Sequence, residues 1–186
     1  MAWRGLPAEG RVTMPWKNGG GVTREIAAWP PSASLDAFDW RISMANVDVE
    51  GPFSRFENVD RVLTVVKGSL ALQFGDGASV VLTEMSDPLA FAGEAPCLGA
   101  PSDGGVIDLN VMVRRGRATV RVRRCFEPQP LRCDGGVLLL LALDSGVLNG
   151  APIAPYDAML AAIGDVATVT GPWPRLIAVE LVLSPR

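Results

Sequence analysis

Hydrophobic and polar residues alternate with a period of two along much of this chain. That period belongs to half-buried β-strands and not to amphipathic helices. In Asp39–Ala45, Trp40, Ile42 and Met44 fall on one face, and Arg41 and Ser43 on the other. In Val106–Val113, Ile107, Leu109, Val111 and Val113 share a face opposite Asp108, Asn110 and Met112. The runs Arg61–Val66 and Ser69–Phe74 flank Lys67-Gly68 and predict a hairpin that turns at Gly68. Gly75-Asp76-Gly77 predicts a second turn, into a strand over Ala78–Thr83. Further on, Arg115, Arg117, Arg121 and Arg123 alternate with Ala118, Val120 and Val122, giving a strand with a basic outer face.

Glu127-Pro128-Gln129-Pro130 marks a boundary. Beyond it, Val137–Leu143, Asp157–Leu160, Val166–Thr170 and Leu176–Leu183 read as strands between Gly and Pro turns. Tyr156–Ile163 also fits a short helix, because Ala and Leu favour helix. The expected division is a first half over 1–126 and a smaller second half over 127–186. The second half carries few charges and is expected to pack on the first as one structural unit. The chain has 20 Gly and 15 Pro, nearly a fifth of its residues, against about an eighth in average proteins. Spread along the chain, this excess predicts many tight turns and an all-β fold.

Composition then narrows the chemistry. The chain has 186 residues, 48% hydrophobic and 20% charged, which is enough apolar material for a core. It has no histidine. That removes Ser-His-Asp and Cys-His nucleophile systems, HExxH zinc sites and two-His-one-carboxylate iron sites. Net charge is −3, a poor balance for nucleic-acid binding. Three cysteines, Cys97, Cys125 and Cys133, form no CxxC and read as free buried thiols of a reducing compartment. The first residues lack the apolar core of a secretory signal, and the longest apolar run, Val137–Leu143, is too short to span a bilayer. A soluble, cytoplasmic protein with no membrane partner is expected.

Several motifs are missing. There is no GxxxxGK[ST], no GxSxG, no SxxK and no EF-hand loop. Carboxylate pairs such as Asp36/Asp39, Asp48/Glu50 and Glu84/Asp87 have nothing to fix their separation, so a glycosidase site has no support. One constellation stands out. Met14–Glu25, MPWKNGGGVTRE, sets Trp16, Lys17, Asn18 and Arg24 around three consecutive glycines. Glycines allow close backbone approach, Trp16 offers a flat apolar wall, and Lys17 and Arg24 could neutralise a carboxylate. A twisted loop between strands with solvated cations accounts for the same residues.

Gly51–Arg61, with Gly68 closing the next turn, resembles the first cupin motif, in which two histidines and a glutamate precede a strand. Counting back from Gly68, Arg61 takes the place of the metal-binding glutamate. Ser54/Phe56 or Arg55/Glu57 take the places of the histidines. Phe91-Ala92-Gly93 followed by Asn110 resembles the second motif, again without its histidine. A guanidinium where a carboxylate ligand would stand turns a cation site into an anion site.

Together, MPWKNGGGVTRE (14–25), DWRISMA (39–45), GPFSRFENVDR (51–61), AFAGE (90–94) and DLNVM (108–112) resemble the HutD/Ves family. The resemblance covers most of residues 12–115 and weakens towards the C-terminus. Glu94 stands where the family often has Asp. The resemblance implies a cupin-type jelly-roll barrel, described as a bicupin of two packed jelly rolls. The HutD branch is associated with histidine utilisation and has been proposed to bind N-formylglutamate or a related small acid. The Ves branch is associated with cold or environmental stress. No established reaction comes with the family.

The leading expectation is therefore a metal-free, cofactor-free cupin that binds a small carboxylate such as N-formylglutamate or formate. Lys17, Arg24, Arg41 and Arg61 are the candidate clamps. Asn18, Ser43, Asp108 and Asn110 are the orienting groups, and Trp16 is the apolar wall. Arg41 and Arg61 could instead form salt bridges to Asp60, Glu57 or Asp108. Two alternatives stay open: an isomerase or deformylase with Asp60, Asp108 or Glu94 as base, and an interaction module using the Arg114–Arg124 face. A homodimer through edge strands fits the cupin resemblance.

Overall fold

The computed structural model describes residues 3–16, 19–102 and 104–184, with only the backbone of Ala162. Among these residues every regular element is a β-strand, as the period of two predicts. No helix is long and apolar enough to cross a membrane. The strands fall into two compact units, Val12–Arg115 and Met1–Arg11 with Gly116–Arg186.

Val12–Arg115 contains two sheets. The larger has six strands in the order Thr13–Pro15, Gly21–Trp29, Trp40–Val47, Val106–Arg114, Val59–Lys67, Leu89–Ala92. The smaller has four, in the order Gly51–Pro52, Cys97–Pro101, Ser69–Phe74, Ser79–Thr83. Leu63, Val65 and Val106 from the first pack with Leu70, Leu72 and Leu82 from the second into one buried cluster, with Phe53, Phe74 and Phe91 at its margin. Each side chain sits there because successive strand residues point to opposite faces.

The expected hairpin at Gly68 does not form. Val59–Lys67 pairs with Val106–Arg114 and Leu89–Ala92, whereas Ser69–Phe74 pairs with Ser79–Thr83 and Cys97–Pro101. Gly68 is the point where the chain leaves one sheet for the other. It has φ +87°, and a Cβ there would lie 2.8 Å from the Gly105 carbonyl oxygen. The turn at Gly75–Gly77 matches expectation: Gly77 N–H donates to the Phe74 carbonyl at 3.0 Å.

In the other unit, five strands run in the order Arg4–Leu6, Ala158–Ala162, Gly136–Ala142, Leu176–Leu183, Ala118–Cys125. Leu138–Leu141 of the central strand are all buried, the continuous apolar run of a fully covered strand. The helix considered for Tyr156–Ile163 is instead the strand Ala158–Ala162, paired on both sides. Pairing outweighs the helix preference of Ala and Leu. The basic strand Ala118–Cys125 bonds to Leu176–Leu183. The Glu127–Pro130 segment consequently lies inside this unit and does not divide it from the other. The N-terminal segment is tied in as well: Ala8 N–H donates to Asp157 Oδ1 at 2.7 Å, and Arg11 donates to the carbonyls of Leu6 and Tyr156.

Candidate functional site

Three cross-strand rows on one face of the six-stranded sheet carry the polar groups. Met112 stands opposite both Arg41 and Arg61, Asn110 opposite Ser43 and Leu63, and Asp108 opposite Ala45 and Val65. These rows end in a cavity of about 540 Å³, within the range of small-ligand sites. Trp16, Arg41, Ser43, Arg61, Asp108 and Asn110, six of the residues singled out in the sequence, line it. Alternation brings them together, since Arg41/Ser43 and Asp108/Asn110 share strand faces.

Arg61 is 3% exposed. Its guanidinium carbon lies 5.2 Å from the ring centres of Phe53 and Phe91 and 5.8 Å from that of Phe56, an enclosure that favours a cation. Nε donates to Asn110 Oδ1 over a long 3.4 Å, and Nη1 to the Ser54 carbonyl at 3.1 Å. Nη2 has no partner, and no carboxylate lies within ion-pair distance among the described residues. Burial lowers its pKa to about 10, against the opposing pull of Asp108 and Cys97. It therefore stays charged at neutral pH.

Asp108 is 1% exposed, and among the described residues neither carboxyl oxygen has a hydrogen-bond partner. Burial pushes its pKa up to about 7, although Arg61 pulls the other way. Arg41, 5% exposed, donates from Nε to Glu25 Oε2 at 2.8 Å. Its ion-pair partner is thus none of the three carboxylates considered from sequence. Trp16 lines the cavity: Nε1 donates to Thr23 Oγ1 at 2.8 Å, and the ring meets Phe53 edge-on at 6.3 Å.

The remaining candidate clamps and orienting groups do not join this lining among the described residues. Arg24 is absent from the cavity lining and donates to Asn46 Oδ1 at 2.7 Å. Its neighbour Thr23 faces the cavity, so strand alternation sends Arg24 to the other face. Lys17 and Asn18 lie outside the described residues. Of the two pairs considered at the cupin histidine places, Ser54 and Phe56 line the cavity, while Arg55 and Glu57 are exposed. Glu94 and Asp60 are held by Arg115, at 2.8 Å from Nη2 and 2.7 Å from Nε. The Arg115 bond, with that from the Asn58 N–H, drops the Glu94 pKa to about 2, which unsuits it as a base. Among the described residues, no three Cys, Asp or Glu side chains cluster as metal ligands.

Sequence reasoning missed Met14, Leu35 and Phe53. Alternation could not flag Phe53, because it lies in a loop. The only local hint is Gly99, where a Cβ would fall 2.3 Å from the Phe53 ring. The basic strand leads elsewhere: Arg121, Arg123 and Arg132 line a second groove in the other unit. There Arg123 pairs with Glu180 at 2.9 Å and Arg132 with Asp134 at 2.7 Å, so much of its charge is neutralised locally.

The model of the HutD family matches residues 8–170. The chain is 37% identical over 131 residues to the protein Ves of Cronobacter sakazakii, covering 68% of this chain and 70% of that one. It is 32% identical over 142 residues to an uncharacterized 21.2 kDa protein in the hutC 3′ region of Pseudomonas putida, covering 76% and 74%. Among solved structures, HutD from Pseudomonas fluorescens SBW25, in a formate condition, superposes with a TM-score of 0.87 at 28% identity, over 99% of this chain and 100% of that one. A cupin 2 conserved barrel domain protein from Leptotrichia buccalis gives a TM-score of 0.58 at 9% identity, over 96% and 100%, a likeness of fold alone. With its all-β, cupin-type architecture and a family match over most of its length, this chain belongs to the HutD family.

Proposed function

We propose that this protein binds a small carboxylate, such as formate or N-formylglutamate, at Arg61, in a role linked to histidine utilisation or its regulation. The observation that carries this reading is the Arg61 guanidinium: buried, wrapped by three aromatic rings and, among the described residues, without a carboxylate partner and with Nη2 unengaged. A buried cation without its counter-ion is costly, and a bound carboxylate supplies one through a charge-assisted pair. Arg41, Ser43 and Asn110 add donors around the same space. The name of the Pseudomonas putida relative, which places it beside hutC, supports the link to histidine utilisation. Three buried free thiols fit action in the cytoplasm.

A second reading, a hydrolase or isomerase with Asp108 as general base, is favoured by the pKa of about 7 at that carboxyl. One experiment addresses both. Formate and N-formylglutamate should raise the melting temperature increasingly with concentration, as any ligand of the folded state does. Arg61→Met should weaken binding about tenfold or more, and an undiminished shift in that variant would remove Arg61 from the site. Formate released from N-formylglutamate during the same titration would identify a hydrolase.

A further inference from the structure

The cavity is rich in donors and poor in acceptors. Arg41, Arg61 and Asn110 present N–H groups and Ser43 a hydroxyl, all of them suited to an anion. Asp108 is the exception. Both its oxygens are buried without a hydrogen-bond partner among the described residues, and the residues opposite it on the two flanking strands are Ala45 and Val65, neither of which has a polar side chain. Asp108 lines the cavity, which is where a partner for those oxygens can enter. Asp108 and Asn110 are one same-face step apart on their strand, about 7 Å, and Asn110 is the residue that Arg61 Nε reaches. A small molecule whose carboxylate meets Arg61 thus extends towards Asp108 within a few bonds. The group that fits there is a donor.

We propose that Asp108 determines specificity by accepting a hydrogen bond from an N–H of the bound carboxylate, so that the site takes N–H-bearing carboxylates in preference to their ester counterparts. This rests on the reading of the cavity as a carboxylate site. Protonated or ionised, a carboxyl group keeps an acceptor oxygen for an N–H, but only the ionised form has no proton to offer an ester oxygen. Opposite ionised Asp108, an ester oxygen would leave a buried acceptor facing another acceptor, and sites built to bond an N–H discriminate strongly against analogues that lack one.

The test is calorimetric titration of the full chain at pH 8.5, where Asp108 is ionised, with N-acetylglycine and with acetoxyacetate, which differ in N–H against O, and with acetate as reference. N-acetylglycine should bind at least about tenfold more tightly than acetoxyacetate. In Asp108→Leu that ratio should fall towards one while acetate affinity persists, and in Arg61→Met all three should weaken. Equal wild-type affinities for amide and ester, with binding still dependent on Arg61, would overturn the inference and leave the carboxylate site standing. Failure of all three to bind the folded wild-type protein would overturn the carboxylate reading itself. Should Asp108→Leu not fold, the wild-type amide-to-ester ratio still decides.

Discussion

At the level of single residues, burial governs the site. Asp108 carries a stability consequence that can be measured without ligand. Its ordinary pKa is 3.8 and its folded pKa about 7, so the folded state holds a proton that the unfolded chain releases. The stability from keeping it neutral is complete below about pH 4 and is lost as pH rises to about 7. Asp108→Asn removes that loss. The stability of the variant relative to wild type should therefore grow between pH 4 and pH 7, by up to about 4 kcal/mol. Urea unfolding at pH 4, 5.5 and 8 would measure it, and a constant difference would show that Asp108 does not titrate in this range. Much of the site was legible at this scale, because Arg41, Ser43, Asp108 and Asn110 obey strand alternation. Arg24 was misplaced because the glycine-rich segment suggested a loop, while the strand beginning at Gly21 sets its face. Glu25 as the partner of Arg41 was invisible, since it depends on which strands become neighbours.

Among elements, strand existence was readable and strand partnership was not. The runs around Trp40, Val106 and Leu176 emerged as strands because their period and composition agree. The turn at Gly68 misled because a tight turn looks alike whether it joins two strands of one sheet or passes from one sheet to another. Non-local pairing decides, and local sequence does not encode it. The loop carrying Phe53 and Phe56, which line the cavity, depends on the strand Cys97–Pro101. Gly99 leaves the room that the Phe53 ring occupies, with a would-be Cβ only 2.3 Å from it. Gly99→Ala should cost about 1–3 kcal/mol of stability as the ring is displaced. It should also weaken carboxylate binding, because Phe53 is one of the rings around Arg61. Chemical denaturation and titration of one sample measure both effects. A stability loss with unaltered affinity would show that the ring does not support the guanidinium.

For the whole molecule, a chain without histidine and, among its described residues, without a cluster of three Cys, Asp or Glu side chains offers little to a transition metal. Chelator treatment, or added Zn²⁺, Ni²⁺ or Mn²⁺, should leave the melting temperature unchanged, and elemental analysis should find metal well below one equivalent. Stoichiometric metal would redirect attention to carboxylates outside this account. The overall class, all-β and cupin-type, was legible from composition and motif order. The composition of the units was not, because it depends on a short segment, Arg4–Leu6, that completes a sheet with Ala158–Ala162. That pairing has a consequence for biosynthesis. Residues 12–115 form a continuous stretch that leaves the ribosome before Ala158–Ala162, with both its sheets complete. Arg4–Leu6, translated ahead of that stretch, must wait until Ala158–Ala162 has been made before its partner strand exists. During that interval it is an unsatisfied strand edge, the kind of segment a holding chaperone protects.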